Sequence, residues 1–287
     1  MAGELRFLIA EGNPKERNEV LKTYGGRLGS ECFSDVLEHL APGSVIDIVR
    51  PADADGDLPR GAALEGYDGV LMSGSGLNVP SGDDDPKVQR QIDFAAAVFE
   101  ARRPFYGSCW GLQVAAAAAG GRVQPSPRGS EQGFARKIAL NRDGRAHPLH
   151  TDRAAVFDAP AIHVDEVTHL PSGSVILAAN GFCGVQSASI TYRGGTFWGV
   201  QYHPEFDLND MAILFRRYGS RLVDQGFFAD DEALATHGER LQCLHQNPDR
   251  QDLAWLLGLD SDILDSRVRW REIENWIECM VRPSRLG

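Results

Sequence analysis

Arg103-Pro104-Phe105-Tyr106-Gly107-Ser108-Cys109-Trp110-Gly111-Leu112-Gln113 is the stretch on which the fold turns. It opens as a short apolar strand and bends at two small residues, Ser108 and Cys109. It then enters an alanine-rich helix over residues 110–119, stopped by Gly120-Gly121. The same strand-then-helix grammar precedes it. Residues 6–10 read as a buried strand, 15–24 as a polar helix, 31–40 as a second helix and 44–49 as another strand. Asp68-Gly69-Val70-Leu71-Met72 is a further strand, ending in Ser73-Gly74-Ser75-Gly76. A helix is predicted from Pro86 to about residue 102, with Asp83, Asp84 and Asp85 at the positive end of its dipole. Strands alternating with helices over short loops specify a mainly parallel sheet wrapped by helices.

After residue 134 the pattern changes. Runs at 135–140, 161–164, 174–179, 184–191 and 196–200 are strand-like with few helical signals, so the sheet is expected to gain an antiparallel portion. A helix over 207–223 closes this part. The expected division is a main domain over 1–225 and a helical C-terminal extension over 226–287. Apolar residues at helical spacing there include Trp255, Trp270 and Trp276, read as packing anchors. So short an extension is marginal as an independent core, so it is expected to pack on the main domain or form a homodimer through its helices.

Composition narrows the function. With 29 basic and 40 acidic residues the net charge is −11, which argues against a nucleic-acid surface. No apolar run reaches the ~20 residues of a membrane span, and the N-terminal residues lack the pattern of a signal peptide. The five cysteines are scattered and form no CxxC pair, which fits a reduced, cytoplasmic setting without a disulfide framework or zinc knuckle. His147, His150 and Asp152 lack further ligands at suitable spacing, so no metal is expected. No phosphate-binding loop or other cofactor motif is present, and no cofactor is expected.

The chemistry centres on Cys109. Glycines at 107 and 111 flank it as they flank the nucleophile of a G-x-S-x-G elbow. A strand-to-helix turn this tight holds its central residue in a strained backbone and tolerates only small neighbours. The helix that follows points its positive end at the sulfur, favouring the thiolate, and its first amides can receive an oxyanion. Taken alone, the motif is equally compatible with a buried structural cysteine. A second motif, Gly199-Val200-Gln201-Tyr202-His203-Pro204-Glu205, supplies a base and a carboxylate to orient it.

Over residues 5–222 the sequence resembles the class I glutamine amidotransferases of the Cys-His-Glu triad type, in their GMP synthetase glutaminase-like and γ-glutamyl peptidase-like branch. The matching features are Gly107, Cys109, Gly111 and Gln113; His203-Pro204-Glu205; the Ser73–Gly76 loop; and His163-Val164-Asp165 followed by Leu170-Pro171. The resemblance implies a flavodoxin-like α/β fold, with a mixed, mostly parallel sheet flanked by helices. It implies Cys109 as nucleophile, His203 as general base, Glu205 as the residue orienting it, and an oxyanion hole from the backbone N–H groups of Ser75 and Trp110. Gln113 and Gly133 are implied to bind the γ-glutamyl group, whereas His163 and Asp165 are read as structural. The Trp110 ring either overlies the pocket or packs in the core.

The implied activity is hydrolysis of a γ-glutamyl amide through a thioester, on a small-molecule substrate. Two alternatives stand beside it: a glutaminase subunit passing ammonia to a separate synthetase, and a silent regulatory module of the same fold. The intact triad residues argue against the silent module.

Overall fold

The computed structural model describes residues 4–81 and 85–285; Asp83 and Asp84 lie outside the described residues. Eleven strands are β1 (Arg6–Ala10), β2 (Val45–Val49), β3 (Gly69–Met72), β4 (Phe105–Ser108), β5 (Arg122–Pro125), β6 (Glu131–Leu140), β7 (Val156–His163), β8 (Asp165–His169), β9 (Val175–Ala179), β10 (Ser187–Tyr192) and β11 (Gly195–Val200). Nine of them form one sheet in the order β2-β1-β3-β4-β11-β10-β9-β6-β7. Pairings from β2 through β11 are parallel and those from β11 through β7 antiparallel. This is a flavodoxin-like α/β fold with an antiparallel half added to one edge. The expected sheet is present, and it is mixed.

Alternation along the parallel strands feeds two cores. Phe7 and Ile9 of β1, with Leu71 and Tyr106, face Phe33, Val36 and Leu37 of the Gly29–Leu40 helix. Leu8, Ala10, Val70, Met72 and Phe105 face the other way, onto the Pro86–Glu100 and Trp110–Ala118 helices. The former helix starts on Asp85, whose side chain accepts from the Lys87 N–H, with Pro86 in its first turn.

Three features depart from the sequence reading. β5 and β8 form a separate antiparallel ribbon that the hydrophobic pattern did not show. The helix expected over 207–223 is two helices, Leu208–Arg217 and Gly219–Asp224, broken at Tyr218. Trp255 does not anchor packing: it is 76% exposed, because the Gln251–Leu257 helix turns Leu253 and Ala254 inward instead.

The helices beyond residue 226 share the molecule's cores. Leu234, Leu241, Leu244 and Leu253 pack with Met211 and Phe215. Trp276, from the Arg271–Trp276 helix, is fully buried against Phe7 and Tyr106, with ring centroids 5.9 and 5.8 Å apart. Glu272 on the same helix is also fully buried. It accepts from the Tyr202 hydroxyl at 2.7 Å and lies 3.3 Å from Arg153 Nε and 3.6 Å from His150 Nδ1. His150 is thereby committed to Glu272 and, at 2.9 Å, to Ser187, and His147 packs on Trp198.

Candidate active site

Parallel strands place their carboxyl ends on one edge of the sheet, where open α/β folds build their sites. Loops after β1, β3, β4 and β11 meet there. Gly107 pairs with Gly199 and Ser108 with Val200, and the Cys109 N–H donates to Val200 O at 2.7 Å. This register carries Cys109 to the strand end from which His203 departs, across more than ninety residues of chain.

Cys109 sits between β4 and its helix with φ 49° and ψ −99°, a left-handed conformation that is strained for a residue with a Cβ. The flanking glycines have a measurable reason. A Cβ on Gly111 would lie 2.6 Å from Met72 O, and one on Gly107 would lie 2.9 Å from Gly111 Cα. Only glycine lets the helix approach the strands this closely.

His203 is buried, and its Nδ1 lies 2.7 Å from Glu205 Oε1. The same carboxylate oxygen accepts from the Ser108 hydroxyl at 2.7 Å. The Phe206 ring stacks on the imidazole at 4.2 Å and 9°. At the edge of the ring Gly74 approaches so closely that a Cβ there would lie 2.6 Å from His203 Cε1. Burial disfavours the imidazolium, but the charge of Glu205 and then Cys109 outweigh it and push the histidine up to about 10. The arrangement therefore favours an imidazolium held between a carboxylate and a sulfur.

The loop after β3 is tied to the loop after β1. Asn13 Oδ1 accepts from the Gly76 N–H at 2.9 Å and the Ser75 hydroxyl at 3.3 Å. Ser75 is not among the residues with positive φ, so its side chain brings no backbone strain to this loop. The Trp110 N–H lies in the first turn of its helix, where no intrahelical acceptor exists. The Trp110 ring points away from the pocket and donates to Gln91 Oε1 at 2.7 Å, fully buried. It is a core residue.

These groups open onto a cavity of about 220 Å³ lined by Cys109, His203, Ser75, Gln113, Asn78 and Asp165, among others. Gln113 Nε2 donates to Asp165 O at 2.9 Å, and Asn78 Nδ2 donates to Asp165 Oδ2 at 2.9 Å. His163 and Asp165, read from sequence as structural, are both in this wall. His163 is also held by Glu131 at 2.9 Å. Gly133 is not brought into the cavity. It lies within β6 at φ 90°, where a Cβ would lie 3.0 Å from Phe215. Ser108, Phe206 and Asn13 were not singled out from sequence. Ser108 and Asn13 act through contacts made only when distant loops meet, whereas Phe206 stacks on a ring three residues before it. Among the described residues no helix is long and apolar enough to cross a membrane.

A flavodoxin-like sheet thus brings a cysteine on a strained elbow and a histidine–carboxylate pair to one cavity. The sequence profile described as glutamine amidotransferase class-I matches residues 45–218. A Gamma-glutamyl-L-1-hydroxyisopropylamide hydrolase of Pseudomonas sp is 33% identical over 288 residues, covering 98% of this chain and 95% of that protein. Gamma-glutamyl peptidase 5 of Arabidopsis thaliana is 31% identical, covering 63% of this chain and 70% of that one. The structure of a glutamine amidotransferase from Thermotoga maritima superposes with a TM-score of 0.66 at 17% identity, covering 97% of this chain and 99% of the other. The chain belongs to the class-I glutamine amidotransferase family, as a glutamine amidotransferase-like hydrolase.

Proposed function

We propose that the protein hydrolyses the γ-amide of a γ-glutamyl compound, with Cys109, His203 and Glu205 as the catalytic triad. The observation that carries the reading is the Glu205–His203 contact at 2.7 Å beside a strained, buried Cys109 on the wall of one cavity. Cys109 Sγ attacks the γ-carbonyl carbon. The resulting oxyanion is received by the Ser75 and Trp110 N–H groups. The C–N bond then breaks, and the proton held on His203 goes to the departing amine. A thioester remains. Water, giving a proton to His203, attacks it; the C–S bond breaks, glutamate leaves, and the Cys109 thiolate beside the protonated His203 is restored. Glu205 orients the imidazole and stabilises its charge throughout. Gln113 fixes the wall against which the γ-glutamyl chain lies, through its bond to Asp165 O.

The full-length similarity to a γ-glutamyl amide hydrolase supports independent action, with residues 226–287 an integral part of that enzyme. A second reading, ammonia supply to a synthetase partner, is favoured by similarity to the GMP synthase [glutamine-hydrolyzing] of Bordetella avium. That protein is 29% identical over 62% of this chain, but only 32% of its own length is covered. The test is glutamate release from glutamine and a panel of γ-glutamyl amides by wild type and Cys109→Ala. Cys109-dependent release from an amide without any partner is expected. Equal turnover by the variant would sink the mechanism. Release from none, with Cys109 still labelled by a glutamine-mimicking alkylator, would replace the first reading with the second.

A further inference from the structure

Two groups hold the Glu205 carboxylate among the described residues, and both meet the same oxygen. The Ser108 hydroxyl donates to Oε1 at 2.7 Å, and His203 Nδ1 lies 2.7 Å from that atom. Oε2 is buried without a hydrogen-bond partner among the described residues. Glu205 stands in the loop between β11 and the Leu208–Arg217 helix, at the end of a side chain with several rotatable bonds. Ser108 stands on firmer ground. It is the last residue of β4, fully buried, in register with Val200 and one residue before Cys109. Alternation puts it on the face of β4 that Tyr106 gives to the core, where an apolar residue would be the default. A hydroxyl there loses its water, and donation to Glu205 offsets that loss.

We infer that Ser108 is a positioning residue of the triad. Its hydroxyl ties the carboxylate that orients His203 to the strand that carries Cys109, so sulfur and imidazole are referred to one rigid element. The two constraints on the ring are complementary. Stacking on Phe206 fixes its plane but not its rotation within that plane. The Oε1 contact at Nδ1 fixes the rotation, and with it the direction in which Nε2 points, and Ser108 fixes Oε1. The role rests on the reading of Cys109, His203 and Glu205 as a triad, and it adds a fourth side chain that touches no substrate.

The test is Ser108→Ala, which removes one oxygen atom and no carbon. For the γ-glutamyl amide that wild type cleaves fastest, kcat should fall about ten- to hundred-fold, since the lost bond is one to a buried charge, while KM stays within about two-fold. A second readout needs no substrate. In protein carrying isotope-labelled histidine, the far-downfield Nδ1–H resonance of His203 is recognised by its absence from His203→Gln. It should shift or broaden in Ser108→Ala, which loss of a mere packing contact would not cause. An unchanged kcat, a loss expressed in KM instead, or an unmoved resonance overturns the positioning role while leaving the hydrolase intact. No Cys109-dependent cleavage of any γ-glutamyl amide by wild type overturns the hydrolase itself, and this role with it.

Discussion

Replacing Glu272 with leucine would strip the counter-charge from a place water does not reach. The Glu272 side chain is 0% exposed and that of Arg153 only 1%. Removing one member of such a pair leaves the other charge buried and alone, at a cost of about 3–5 kcal/mol. For a chain of this size each kcal/mol moves the melting temperature by roughly 2–4 °C, so a fall of about 6–20 °C is expected. The assay is thermal and urea unfolding at pH 7 of wild type, Glu272→Leu and the double variant Arg153→Met/Glu272→Leu. The double variant carries no stranded charge and should recover most of the loss. Acid supplies a further check. Burial pushes the Glu272 carboxyl up, but Arg153, His150 and the Tyr202 hydroxyl outweigh it and hold it below the usual range. A depressed carboxylate contributes stability above its unfolded value of about 4.5 and loses it as pH falls through the folded value. The deficit of Glu272→Leu should therefore shrink in acid. A loss under about 1 kcal/mol at pH 7, or a double variant weaker than the single, would refute the reasoning.

Three further outcomes are expected. Glu205→Gln keeps a polar group near His203 but removes the charge that favours its imidazolium, so kcat should drop about 10³–10⁴-fold with unchanged circular dichroism; a rate within ten-fold of wild type contradicts the assigned role. Gly111→Ala should lower stability by about 1–3 kcal/mol despite alanine's better helix propensity, since the new methyl meets a backbone oxygen; an equal or higher melting temperature argues against the packing account. His203 is raised to about 10 in the fold from an ordinary 6.5, so its pairing stabilises fully below 6.5 and is lost as pH rises through about 10. The urea midpoint of wild type relative to His203→Gln should decline over that window, and a flat difference would discount the pairing.

The parallel half of the sheet and the positions of Cys109, His203 and Glu205 were legible because each is written locally. Glycines frame a turn, a proline separates two polar residues, and apolar runs end at loops. Relations between distant segments were not written locally. The Ser108 hydroxyl gives no sign in sequence that it will meet Glu205, and Gly74 does not announce a ring beside it. β8 was hidden because His163-Val164-Asp165 looks like the end of one strand, whereas the chain leaves the main sheet there and pairs with β5. The pattern around Tyr218 is helical on both sides, so nothing in the periodicity marked the break. Trp255 was misjudged because helical spacing identifies a stripe without saying which residues flank it outside the core. The arginines of the cavity, Arg17, Arg27, Arg217 and Arg221, come from two segments two hundred residues apart, and nothing local says that the two will meet.

The burial of Trp276 also bears on timing. A ribosome delivers Cys109 well before His203, and both well before the indole that fills the space under Phe7 and Tyr106. Until residue 276 has left the exit tunnel, the strand leading to the nucleophile lacks its packing partner, and Arg153 has no Glu272 to meet. The loop that carries Cys109 in a growing chain therefore waits for the C-terminal helices before the core beneath it is complete. Synthesis order makes the packing beneath Cys109 one of the last features the polypeptide acquires.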